Sequence, residues 1–216
     1  SPDLPRNREV AEACSLDLGK LNRYLEKRNI LGYLSGISEA GERASKIVKN
    51  MLNFSRRSDS KMEPVHINTL LDETLELAYN DYDLKKKYDF RHIHIEKRYA
   101  DYLPEISCTK TEIEQVLLNL FKNAAEALHG WKNQDRKVIS LETSLEPEDI
   151  CIGIADNGPG MSDAIRKRVF EPFFTTKDVG VGTGLGLSVS YFIVTTNHGG
   201  QMTVSSEPGQ GTRFQV

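Results

Sequence analysis

Two glycine clusters within one short stretch constrain this chain more than any other feature. The first, Asp156-Asn-Gly-Pro-Gly-Met161, follows the apolar run Ile150-Cys-Ile-Gly-Ile-Ala155, which reads as a buried strand. An Asp at a strand end, followed at once by Asn-Gly-Pro-Gly, makes a turn that lets backbone approach a flat or anionic group. The second cluster has glycine at 180, 182, 184 and 186 and runs into a predicted helix over Leu185–Val194. Glycines feeding a helix start present backbone N–H groups and the positive end of its dipole, a seat for phosphate. One glycine-rich loop is ordinarily just a turn. Two in order, with Glu171-Pro-Phe-Phe-Thr-Thr-Lys177 between them, make a pattern that accident rarely produces. No Gly-Lys-Ser/Thr is present, which excludes a Walker A loop. The residues before Gly180, Thr175-Thr-Lys-Asp-Val179, make a poor strand, which argues against a dinucleotide fingerprint. The glycines point to a nucleotide site of another kind.

A helix predicted over Thr109–Leu128 carries the second chemical signal. Ile113, Val116, Leu117, Leu120, Phe121, Ala124 and Leu128 form its apolar face. Thr109 and Glu112 have the spacing of a capping box. Gln115, Asn119 and Asn123 step by four along another stripe, with Glu126 next. Asn competes with the helix backbone and is a poor choice for a merely solvated face. Its carboxamide oxygen is a hard ligand that suits Mg²⁺ without adding negative charge.

Elsewhere the chain alternates strands and helices. Residues 1–29 are charged, with short helices expected over Arg6–Cys14 and Asp17–Arg28. From residue 30 to 57, Ile30, Leu34, Ile37, Gly41, Ala44, Val48, Met51 and Ser55 alternate steps of four and three. That seam reads as a bundle helix seeking a partner. Polar Arg56–Pro64 reads as a linker, with a domain boundary near residue 60. Strands are expected at Val65–Ile67, Phe90–Tyr99 and Pro104–Cys108, and a helix over Asn68–Asn80 capped by Asn68, followed by a charged loop over residues 81–89. His92 and His94 would share one face of their strand, with no third metal ligand near in sequence. Two antiparallel hairpins are expected, Lys137–Leu145 with Ile150–Ala155 and Gln201–Ser206 with Thr212–Val216. Strands with helices on one side give an α+β, two-layer sandwich.

The net charge of −3 over 216 residues provides no basic field for nucleic acid. No apolar run is long enough to span a membrane, so no membrane contact is expected of these residues. Three cysteines without paired spacing fit reduced, mostly buried thiols and a cytoplasmic setting. The opening Ser1-Pro-Asp-Leu-Pro5 reads as the inside of a larger protein, and the end after Val216 looks clipped.

Taken together, these residues resemble sensor histidine kinases. Asn119-Leu-Phe-Lys-Asn-Ala-Ala-Glu-Ala127 resembles the N box of that family. Asp156–Met161, Glu171–Phe174 and Gly182–Ser188 resemble its first glycine box, F box and second glycine box, and Gly209–Phe214 its closing strand. The likeness covers roughly residues 60–216, and it is weaker for residues 30–57, which resemble the second helix of the dimerisation and phosphotransfer domain. The wider superfamily includes gyrase and mismatch-repair ATPases. The fold implied is the Bergerat-type ATP-binding sandwich over residues 61–216, preceded by a partial helical dimerisation segment over residues 1–60.

The resemblance implies ATP and Mg²⁺ as ligands. Asn123 would ligate the metal, and Asn119 would orient phosphate or water. Asp156 would accept a hydrogen bond from the adenine amino group, with Gly158 and Gly160 letting backbone pass the base and Thr212 near it through water. Residues 161–183 would form a lid anchored by Phe173 and Phe174, with Lys177 neutralising the terminal phosphates. Gly182, Thr183, Gly184, Leu185 and Gly186 would line the triphosphate. Asp156 and Asn123 are expected to face one shared cavity. The implied partners are a second copy through the helical segment and a response-regulator receiver domain. The family's phosphoacceptor is a His followed by an acidic residue on the first bundle helix. No His precedes His66, which is read into a strand, so the acceptor is expected upstream of Ser1. These residues alone are then expected to bind Mg·ATP without phosphorylating themselves. Two readings compete: a serine kinase or gyrase-type conformational ATPase on the same fold, and a non-enzymatic dimerisation module whose glycine loops are only turns. A gyrase-type enzyme would be expected to carry Glu at 119 as a base for water, and Asn stands there.

Overall fold

The computed structural model describes residues 5–38, 40–41, 61–81, 84, 88, 90–132, 136–147, 149–177 and 182–216. The chain divides into two compact units, residues 1–55 and 56–216. In the first, α1 (Pro5–Ala13) and α2 (Leu18–Lys27) flank a turn through Ser15. Asp17 begins α2 by accepting the Lys20 N–H at 3.0 Å. Residues 30–38 are helical, and Leu34 and Ile37 of the apolar seam are 57% and 69% exposed. The rest of the seam, from Ala44 to Ser55, lies outside the described residues, as does most of the linker.

The second unit is a mixed sheet backed by helices. In chain order it contains β1 (Glu63–Val65), α3 (Ile67–Asn80), β2 (His94–Arg98), β3 (Ile106–Cys108), α4 (Lys110–His129), β4 (Val138–Leu145) and β5 (Ile150–Asp156). After these come the short α5 (Asp163–Arg166), α6 (Gly186–Phe192), β6 (Thr203–Glu207) and β7 (Gly211–Gln215). The main sheet runs β2-β4-β5-β7-β6, and β1 and β3 pair separately. Both expected hairpins form, with Leu145 opposite Ile150 and Glu207 opposite Gly211. The β2–β4 pair is parallel, an arrangement that needs a long crossover, here supplied through β3 and α4.

Alternation along β4 buries Ile139, Leu141 and Thr143 against the helices. Leu70, Leu71 and Leu75 of α3, with Val116, Leu117, Leu120, Phe121 and Leu128 of α4, complete that core. Every apolar position expected on α4 is buried. Full burial of each such Leu or Phe contributes about 1.5–3 kcal/mol. The opposite sheet face is polar. There Glu142 pairs with Arg98 at 3.2 Å and with Arg213 at 2.7 Å. A Cβ on Gly153 would lie 2.7 Å from Arg213 Nη2, so a larger residue there would make the guanidinium shift.

Several local expectations change. Phe90–His92 is a 3₁₀ turn and only residues from His94 are strand, because Phe90 is drawn into the core against Tyr79 and Phe121. His92 and His94 therefore do not share a strand face. His66 is not in a strand: it stands at the N-cap of α3. Asn68 does not cap that helix. Its amide donates to the Ala100 carbonyl at 3.0 Å and accepts from Thr143 Oγ1 at 2.9 Å, tying α3 to the sheet. Thr109 occupies the N-cap of α4 but its hydroxyl makes no capping bond, and Glu112 accepts from Asn197 instead. Cys108 is buried, Cys151 half-buried and Cys14 exposed. Among the described residues no helix is long and apolar enough to cross a membrane.

Candidate functional site

The site begins where β5 ends. Asp156 is its last residue and lies opposite Thr212 of β7. Burial pushes the Asp156 carboxyl up from 3.8 to about 6, against the pull of backbone N–H groups of Gly158 and Thr212. The Gly158 N–H donates to Asp156 Oδ1 at 2.9 Å. A Cβ at Gly158 would sit 2.7 Å from that oxygen and 3.6 Å from both Ala127 and Leu128 of α4, so the turn is pressed between carboxylate and helix. Gly160 has φ +65°, and a Cβ there would run into the Glu207 carbonyl. Gly211 has φ +84° and faces the Asp156 carbonyl in the same way. The loop is stitched to the β6–β7 hairpin. Gly209 N donates to Pro159 O at 2.7 Å, and Met161 N to Ser206 Oγ at 2.8 Å. Ser206 Oγ in turn donates to Gly211 O at 2.8 Å and lies 3.0 Å from the buried Thr212 hydroxyl.

Asn119, Asn123 and Ala127 follow one another at four-residue spacing on α4, and so lie along one stripe. Each glycine segment meets that stripe at a different point. Gly158 abuts Ala127. At the other end Asn119 Nδ2 donates to Gly186 O at 3.3 Å and Ser190 Oγ at 3.2 Å. Asn123 lies between them, half-buried, and its carboxamide bonds no other described residue. A carboxamide oxygen left over there fits a hard divalent cation.

The segment between the glycine clusters is held by backbone as much as by rings. Phe173 N donates to Gly184 O at 2.9 Å, and both residues have positive φ, +65° and +64°. The Phe173 ring is 56% exposed, so Phe173 anchors through its main chain. Phe174 instead stacks on Arg168, 4.3 Å from ring centre to guanidinium carbon. Lys177 reaches α4, where its ammonium contacts Glu126 Oε2 at 2.5 Å. Its stem runs along Gly182: a Cβ there would lie 2.9 Å from Lys177 Cδ. Thr183 Oγ1 accepts from Leu185 N at 3.4 Å, and Leu185 is buried at the start of α6. Gly180 lies outside the described residues.

A cavity of about 640 Å³ opens between α5 and the β6–β7 hairpin, reaching Asp156, Met161, Ser206, Gly211 and Thr212. Neither the Asn stripe nor the second glycine segment lines it. Asp156 lines this cavity and Asn123 does not, while the turn after Asp156 meets α4 at Ala127, one helical turn beyond Asn123. Asp156, Gly158, Gly160 and Thr212 come together near Ala127 towards the C-terminal end of α4; Gly186 lies against Asn119 two turns earlier, Gly184 against Phe173, and Lys177, with Gly182 along its stem, reaches Glu126 beside Ala127. Three residues with work at the site had no expected role. Ser206 ties the first loop to β7, Ser190 holds Asn119, and Glu126 takes the lysine. Only Glu126 left a trace in sequence, as a carboxylate directly beside the Asn stripe.

Residues 108–216 match the family described as "Histidine kinase-, DNA gyrase B-, and HSP90-like ATPase". The chain is 33% identical over 182 residues to "Sensor histidine kinase ZraS" of Escherichia coli O157:H7, a match covering 83% of this chain and 36% of that protein. It is 30% identical over 184 residues to "Sporulation kinase E" of Bacillus subtilis, covering 85% and 23%. Among solved structures it resembles full-length ShkA in complex with AMPPNP, with a TM-score of 0.65 and 26% identity, over 85% of this chain and 37% of that one. The catalytic domain of histidine kinase ThkA aligns with a TM-score of 0.58 and 26% identity, over 72% of this chain and 93% of that one. The chain thus spans about a third of the ZraS length. It belongs to the histidine kinase-, DNA gyrase B- and HSP90-like ATPase family and carries the ATP-binding domain of the sensor histidine kinase type.

Proposed function

We propose that this chain binds Mg·ATP along the α4 stripe and serves, within a longer sensor kinase, to pass the γ-phosphate to a histidine and then to a response-regulator Asp. Asp156 would select adenine by accepting from its amino group, with Thr212 nearby through water. Asn123 would hold Mg²⁺, Asn119 would fix the second glycine segment against the phosphates, and Lys177 would neutralise them. Such work is binding, positioning and charge neutralisation, most of what phosphoryl transfer asks of a protein. The ShkA structure carries AMPPNP, which supports an adenine nucleotide here.

The observation that carries this reading is the placement of Asn123. It has no hydrogen-bond partner among the described residues and lies between two glycine segments, on the helix against which the turn after half-buried Asp156 also packs. We take the acceptor to be a histidine other than the five present. Among those, the His198 ring is engaged between the Thr109 N–H and the Ile193 carbonyl. Calorimetry with Mg·ATP tests the site. Asp156→Ala should weaken binding at least tenfold, and Asn123→Ala should weaken it only when Mg²⁺ is present. Unchanged affinity in Asp156→Ala overturns the reading. We further propose a cytoplasmic setting and pairing of two copies through the seam at Leu34 and Ile37, both exposed within one chain. Sedimentation should show a dimer that the double change Leu34→Glu, Ile37→Glu splits.

A further inference from the structure

The Lys177–Glu126 contact joins residues 51 apart in sequence and so is not the ordinary ladder of charges along a helix. Glu126 is only 17% exposed and Lys177 34%. Glu126 follows Asn123 by three positions on α4, so the two are surface neighbours. The lysine stem crosses Gly182 before its head reaches α4. The ammonium therefore sits between the second glycine segment and the helix, on the carboxylate one turn beyond Asn123. Glu171, the nearby acidic residue of the same loop, is taken by Arg168 at 2.9 Å.

We propose that Glu126 is a specificity-determining residue. It ties up Lys177 in the nucleotide-free chain, so that only a ligand with terminal phosphates draws the lysine away and binds tightly. The inference rests on the nucleotide reading above. A carboxylate carries one negative charge, and a β,γ-phosphate pair carries more and offers several acceptor oxygens. A nucleoside monophosphate, with its phosphate close to the ribose, leaves the lysine on Glu126. The Glu126–Lys177 pair thus makes the site discriminate by phosphate-chain length, and it costs some affinity for every ligand that displaces it.

Titration of the 216-residue chain with Mg·ATP and with AMP tests this, using Glu126→Gln, Lys177→Met and the double variant. Thermal melts show that each is folded, and Glu126→Ser serves as a second uncharged replacement. Glu126→Gln should tighten ATP by about two- to fivefold, the scale of a partly exposed ion pair, and leave AMP unchanged. Lys177→Met should weaken ATP, and adding Glu126→Gln to it should change nothing further. Weaker or unchanged ATP binding in Glu126→Gln overturns the proposal. So does an equal gain in the Lys177→Met background, which would mean the field of the carboxylate alone acts. An equal gain for AMP also overturns it. If the unaltered chain binds neither nucleotide, the nucleotide reading itself falls and takes this proposal with it. If it binds ATP and only the Glu126 effects fail, that reading stands.

Discussion

Asp156 concentrates the physics of the site in one side chain. Burial raises its carboxyl to about 6 from an ordinary 3.8, so the fold favours the protonated form. Its contribution to stability is complete below about pH 3.8, declines as pH climbs through 6, and is gone above that. Asp156→Asn should therefore stabilise the chain near neutral pH, by on the order of 1–3 kcal/mol, and have little effect near pH 4. Denaturant melts at pH 7.5 and pH 4 measure the difference, and an equal effect at both would contradict the assignment. Glycines 158, 160 and 211 were legible or not according to what confines them. Gly158 and Gly160 lie in a recognisable turn. Gly211 stands in the closing-strand motif, but the Asp156 carbonyl that confines it is more than fifty residues away in sequence, so its reason for being glycine was not readable locally. The partner of Lys177 was equally hidden, since ion pairs between distant segments have no spacing rule.

At the scale of elements, periodicity found the helices and missed what fastens their ends. The apolar stripe of α4 was readable because burial repeats every three or four residues. Its cap was not. The Thr109 N–H donates to His198 Nε2 at 3.0 Å, and the other ring nitrogen of His198 lies 2.9 Å from Ile193 O. With Nδ1 donating to that carbonyl, Nε2 is left as the acceptor. A residue 89 positions downstream thus displaces the local capping box. His198→Phe should leave the Thr109 N–H unmet and cost about 1–2 kcal/mol, read as a lowered midpoint in denaturant. His198→Gln, which keeps an acceptor, should recover part of the loss. Phe90 teaches the same lesson for strands. Alternation suggested a strand from residue 90, and contact with Tyr79 and Phe121 turned that first stretch into a 3₁₀ turn.

For the molecule as a whole, the class of fold was legible because hairpin signals and helical stripes alternate clearly along residues 61–216. Strand order was not, because β2 pairs in parallel with β4 only after two further elements have been laid down between them. That pairing bears on how the domain can be dissected. The family match begins at residue 108, yet Leu70, Leu71, Leu75 and Phe90 share one hydrophobic cluster with Val116, Leu120 and Phe121. A chain trimmed to start at 108 should lose β2 from the sheet edge and bare one flank of α4. Its melting should broaden and it should bind a hydrophobic dye, whereas residues 61–216 should melt in a single sharp step. The smallest autonomous piece is then larger than the stretch the family description matches, and its first third is the buttress without which the nucleotide half cannot stand.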